Sequence, residues 1–146
     1  MPIVSVTRLR IRSIRFMPAF ALRTLGTIRQ VRRAGGFLGG SLLPDRRLTF
    51  WTMTVWREQA DMRRYVAGGD HLRAMPKLMG WCAEASVVRW EQDDAALPGW
   101  AEADSRMREE GRPSKVRKAG PNHLTLGFDP PRTSGSAPIR PVGASG

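Results

Sequence analysis

The segment "LTFWTMTVW", residues 48–56, constrains the chain more than any other. Threonine, aromatic and β-branched residues suit a pleated strand, whose side chains alternate between two faces. Trp51, Met53 and Val55 therefore project to one side, and Phe50, Thr52, Thr54 and Trp56 to the other. Both faces carry large apolar groups, so both must be covered. Helices can cover one of them. The other would leave a broad apolar surface on a single chain, and such surfaces mark an interface or a ligand site. The expectation is a homodimer paired through this sheet.

The flanking segments supply the remaining elements. "IVSVTRLRIR" (3–12) alternates with period two, placing Ile3, Ser5, Thr7, Leu9 and Ile11 on one face. Val4, Val6, Arg8, Arg10 and Arg12 share the other face, as in a half-buried strand. "MPAFALRTLGTIRQVRRAG" carries Leu22, Leu25, Ile28 and Val31 at helical spacing, with Pro18 in the first turn and Gly35-Gly36 as the stop. "FLGGSLL" (37–43) and the turn "PDRR" (44–47) make a hairpin with the 48–56 strand. A helix over 57–67 breaks at Gly68-Gly69 and restarts at Asp70, and "CAEASVVRWEQ" (82–92) closes as a fourth strand. The order βαββαβ predicts a ferredoxin-like α+β domain with an antiparallel sheet over residues 1–92.

Residues 93–112 hold one further amphipathic helix. The last 34 residues (113–146) contain six Pro, five Gly and four Ser, which cannot bury enough surface to offset ordering entropy. They are expected to form an extended or disordered basic arm, so the domain should fold without residues beyond Arg112. His123, in that arm, is expected to be solvated.

The net charge of +11 is uneven: residues 1–47 carry ten arginines against one aspartate, residues 48–112 are net −2, and the arm is net +4. Such a charge favours an anionic partner. Nucleic acid is not the expected one: the arginine row lacks interleaved aromatics to stack bases, and no helix-turn-helix or RNA-recognition signature is present. One cysteine cannot build an intramolecular disulfide and fits a reducing, cytoplasmic setting. No apolar run is long enough to span a membrane. The Arg-rich, acid-poor start resembles a targeting segment in composition, but its strand-like alternation places it in the fold.

Few residues carry chemistry. Arg8, Arg10 and Arg12 form a basic row that either faces solvent or binds an anionic group. His71 follows Asp70, a candidate helix cap, and shares a helical face with Met75 and Leu78. It either only closes the helix start or serves as a haem ligand or general base. Pro76 removes an amide donor and should kink or tighten the helix there. Cys82 has no activating base near it in sequence and reads as a small buried hydrophobe.

The stretches "VSVTRLRIRS", "GFLGGSLL" and "TFWTMTVWREQADMRRYVAGGDHLRAMPKLMGWCAEASVVRWEQ" together resemble the spheroidene monooxygenase branch of the antibiotic-biosynthesis-monooxygenase superfamily, the dimeric α+β barrels. The resemblance covers residues 4–92 and extends to "GRPSKVR". It rests most on Gly-x-His-x-x-x-Met-Pro, here Gly69 to Pro76. It implies a homodimer whose sheets close a ligand-holding barrel, and a monooxygenase or haem-linked oxidoreductase acting on an apolar or aromatic molecule. His71 is the implied catalytic residue, and the haem-iron ligand if haem is bound. Arg8, Arg10, Arg12, Trp51, Met53 and Met75 are the candidate ligand-binding residues. The alternative function is non-catalytic binding of an anionic or aromatic small molecule.

Overall fold

Strand β1 (Ile3–Ile11) leads through a short 3₁₀ turn (Ile14–Phe16) into helix α1 (Met17–Arg32). The hairpin β2 (Phe37–Asp45) and β3 (Thr49–Trp56) follows, then α2 (Gln59–Val66), α3 (Gly69–Trp81) and β4 (Cys82–Glu91). Helix α4 (Trp100–Glu110) and two short strands, β5 (Arg112–Pro113) and β6 (Ala137–Ile139), complete the chain. The structure is a computed structural model and describes residues 1–114, 116, 119, 120, 123, 126, 128 and 130–142. The remaining positions of the predicted arm lie outside the described residues. The fold is α+β, with a six-stranded antiparallel sheet ordered β5-β4-β1-β3-β2-β6. Its inner four strands have the ferredoxin-like arrangement expected from βαββαβ. Among the described residues, no helix is long and apolar enough to cross a membrane.

Local chemistry sets the breaks. Ser13 caps the 3₁₀ turn, Pro18 stands at the start of α1, and Arg29 and Arg32 occupy its last turn, where cations favour the helix dipole. Gly36 then takes φ +83°, and a side chain there would run into the carboxylate of buried Asp61. Asp61 in turn pairs with Arg57, just before α2, and with Arg64 on α2.

Strand register divides the sheet into two compartments. Ser5 lies opposite both Thr54 and Arg89, and Thr7 opposite Thr52 and Val87; these face α1, α2 and α3. Val6 lies opposite Met53 and Val88, on the other face. That second face packs Val4, Val6, Trp51, Met53, Val55, Val88 and Trp90 against Trp100, Ala103 and Met107 of α4 and against Phe128. The Trp51 ring meets Trp100 and Phe128 edge-on, with centroids 6.4 and 5.7 Å away. Here the structure differs from the expectation drawn from residues 48–56. Trp51 and Met53 are 0% and 1% exposed within one chain, so their burial requires no second copy.

The arginine row is divided as well. Glu84, buried on β4, accepts hydrogen bonds from Arg8 (2.7 Å) and Arg10 (2.9 Å). Burial pushes the Glu84 carboxyl up, but the hydrogen bonds and charges of Arg10 and Arg8 outweigh it and hold it below the usual range. The Arg8 guanidinium lies 4.0 Å from the Phe128 ring centre, a cation–π contact sealed from water. Arg12, beyond the strand, donates to the Gly80 carbonyl at 2.9 Å.

The segment after α4 is fastened to the sheet at its described positions. β5 pairs with Ser86 and Val87, and β6 with Gly40, Ser41 and Leu42. His123 is a correction to the sequence reading: it is 5% exposed, not solvated. Its Nδ1 accepts the Ala85 amide (3.3 Å), which leaves Nε2 to donate to the Ser114 carbonyl (2.7 Å).

Phe128 therefore belongs to the core. Phe128→Ala should lower unfolding free energy by about 3 kcal/mol in urea titration. Truncation after Arg112 should cost at least as much, in contrast to the independent arm expected from composition. An unchanged transition midpoint in either variant would mean that the segment does not carry this face.

Candidate functional site

Between the sheet and helices α1–α3 lies a cavity of about 390 Å³, within the range of small-molecule sites. Its floor is the polar face of the strands: Ser5 and Thr7 from β1, Thr52 and Thr54 from β3, with Val87 and Arg89 from β4. The roof is apolar, with Phe20, Ile28 and Val31 from α1, Met62 from α2, and Met75 and Leu78 from α3. One end is aromatic. Trp56 packs on Tyr65 (5.2 Å between centroids), and Tyr65 on His71 (4.9 Å). The Trp56 indole donates to Thr54 Oγ1 at 2.9 Å, which fixes the floor at that end.

The break between α2 and α3 brings His71 to this cavity. Asp70 makes no cap there; it pairs with Arg73 instead. The helix start is held by Gln30 of α1, whose Oε1 accepts the His71 amide (2.6 Å). Its Nε2 donates to the carbonyls of Tyr65 (3.0 Å) and Gly68 (2.8 Å). One amide thus ties three helices together. Gly69 takes φ +62° beside it, and a Cβ there would stand 3.0 Å from Gln30 Cδ.

His71 Nδ1 lies 3.3 Å from the Val66 carbonyl. Burial lowers its pKa, the Val66 hydrogen bond opposes the shift, and the charge of Arg89 adds to it, for a net decrease. The imidazole is therefore neutral at pH 7, with the Nδ1 proton on Val66 O and the Nε2 lone pair available. Tyr65 is raised well above its ordinary pKa by burial and then by Asp70, so it stays a phenol. Cys82 is fully buried and its thiol is pushed up to about 12, which makes it inert as a nucleophile.

Of the residues singled out from sequence, His71 and Met75 line the cavity together. Trp51, Met53 and Arg8 are buried on the opposite face of the sheet. Arg10 is engaged by Glu84 and Arg12 by the Gly80 carbonyl, and neither lines the cavity. Residues not singled out do line it: Arg89, Tyr65 and the hydroxyl floor. The signal for Arg89 was its place opposite Ser5, which needs the β1–β4 register and not only the composition of either strand.

Residues 14–137 match the model of a protein family described as a domain of unknown function, DUF3291. No curated protein sequence matches the chain. Solved structures with the same fold include SnoaB, a cofactor-independent oxygenase from Streptomyces nogalater, at 21% identity and TM-score 0.51 over 66% of this chain and 97% of that one. Rv0793 from Mycobacterium tuberculosis matches at 14% identity and TM-score 0.59, over 66% and 100% of the two chains. An antibiotic biosynthesis monooxygenase matches at 15% identity and TM-score 0.56, over 66% and 99%. At these identities the likeness is one of fold.

Gln30 is the test of how the site is held. Gln30→Ala should cost about 1–2 kcal/mol, as loss of a helix cap does, and should speed hydrogen exchange at the His71 amide. Unchanged exchange at His71 would show that α3 starts without the Gln30 side chain.

Proposed function

The chain belongs to the DUF3291 family, and from the cavity this member folds we propose that it is an oxygenase-type protein acting on an apolar or aromatic small molecule. The ligand would lie within one chain, between sheet and helices, and not in a barrel closed by a partner. The observation that carries this reading is His71: a neutral imidazole oriented by the Val66 carbonyl, at one end of a pocket with an apolar roof and a hydroxyl floor.

Such a group is suited to general-base chemistry. Nε2 would take a proton from an acidic C–H of the bound molecule, leaving an electron-rich carbon. With molecular oxygen as the oxidant, a methylene becomes a carbonyl and one water is released. The substrate carbon supplies all four electrons, so no external reductant is needed. The description of SnoaB as cofactor-independent is compatible with this chemistry.

An anthrone, an aromatic ketone with an acidic methylene, is the probe. The protein should accelerate oxygen uptake, one O₂ per anthrone, and His71→Ala should reduce the rate about 100-fold. Because the His71 pKa lies below the ordinary value of about 6.5, the base remains free at that pH, and the rate should fall only under more acidic conditions. Anthrone binding without accelerated uptake would remove the catalytic reading and leave non-catalytic small-molecule binding.

The likeness of Gly69–Pro76 to the spheroidene monooxygenase motif favours a second reading, haem. The donor set fits: His71 Nε2 could ligate iron while Val66 holds Nδ1, and Arg23 and Arg89 could meet the propionates. Haem, when bound, would supply oxygen activation. On adding hemin, a shifted Soret band that reverts in His71→Ala is the expected result. The same band in both proteins would discard this reading.

A further inference from the structure

Arginines elsewhere in this chain mostly have acids beside them: Arg8 and Arg10 share Glu84, Arg57 and Arg64 share Asp61, and Arg106 and Arg108 pair along α4. The cavity breaks this pattern. No carboxylate lines it among the described residues, yet two arginines do, Arg23 and Arg89. Neither has an ion pair or hydrogen bond among the described residues.

Arg89 is moreover not alone. Arg112 of β5 lies opposite Val87, so it shares the cavity face one diagonal step from Arg89. Arg63 of α2 is close enough for its charge to act on Arg89, as Arg112's does. The charges of Arg112 and Arg63 both oppose that of Arg89. An anionic group bound beside them would relieve that repulsion. Ser5, directly across from Arg89 on the floor, and Ser114 beside the rim offer hydroxyls to the same place.

We propose that this rim is an anion subsite, and that the ligand is amphipathic: an apolar or aromatic body under Ile28, Val31, Met62 and Leu78, ending in a carboxylate or sulfonate held by Arg89 and Arg112. The proposal rests on the cavity being the ligand site, as proposed above, and narrows the class of molecule it takes. A neutral hydrocarbon would fill the pocket and leave the rim uncompensated. The segment after α4 contributes Arg112, and the His123 clamp on Ser114 sets its position.

Two fluorescent probes separate the parts. 1-Anilinonaphthalene-8-sulfonate and N-phenyl-1-naphthylamine share their ring systems and differ in the sulfonate. The sulfonate should bind about tenfold more tightly, with the preference shrinking between about 50 mM and about 500 mM salt. Arg89→Met should abolish the preference, and Arg112→Ser should reduce it about threefold, with affinity for the neutral amine unchanged. The double variant Arg29→Ser/Arg33→Ser, at exposed positions at the end of α1 and just beyond it, outside the cavity, should leave it intact. Equal affinities in the unaltered protein would overturn the subsite while leaving the cavity reading standing. The subsite is likewise overturned if Arg89→Met weakens both probes alike, or if the α1 variant removes the preference. Binding of neither probe would overturn both.

Discussion

Alternation across a strand is the constraint on which this structure turns. β1, β3 and β4 each send every second side chain into a different compartment, and the two compartments have opposite requirements. Toward the helices the strands present Ser5, Thr7, Thr52 and Thr54, short hydroxyls that leave room for a ligand. Toward α4 they present Val4, Val6, Trp51, Met53 and Val88, which fill space completely. A shift of one residue in β1 would exchange these sets and destroy both compartments at once. The observed register is further secured by Glu84, which accepts from both Arg8 and Arg10.

Burying Glu84 and Arg8 is costly unless they are paired, and much of the architecture around them closes over that pair. Phe128 lies over the Arg8 guanidinium, Arg108 donates to the Phe128 carbonyl at 2.6 Å, and Met107 and Trp100 close the remaining space. Helix α4 and the segment after it therefore act as the second layer of the sheet. The cavity on the other side is left with a separate roof, tied by Gln30, and can be shaped without disturbing this core.

The βαββαβ order, the hairpin near 44–47 and the helix break at Gly68-Gly69 were all legible in the sequence, because each has a local cause: period, turn residues or a glycine pair. The two-sided strand was legible too, as a demand for two coverings. What supplied the second covering was not. Phe128 and His123 sit in a stretch rich in proline and glycine, and their burial depends on meeting Trp51, Arg8, Ala85 and Ser114 in space. The same reason hid the roles of the arginines. Arg8, Arg10 and Arg12 form a conspicuous row but are engaged by Glu84 and the Gly80 carbonyl, whereas Arg89 stands alone in its strand and reaches the cavity through its register with Ser5.

The two outermost strands bear on the behaviour of the protein at high concentration. An open sheet ordinarily ends in a row of unpaired amides and carbonyls, a template on which another chain can grow. Here both margins are occupied by segments of two and three residues, β5 and β6, and each contains a proline, Pro113 and Pro138. A proline has no amide hydrogen to donate, and strands this short offer little length for pairing. By ending the sheet in this way, the chain blunts the surfaces from which strand-to-strand polymerisation would begin.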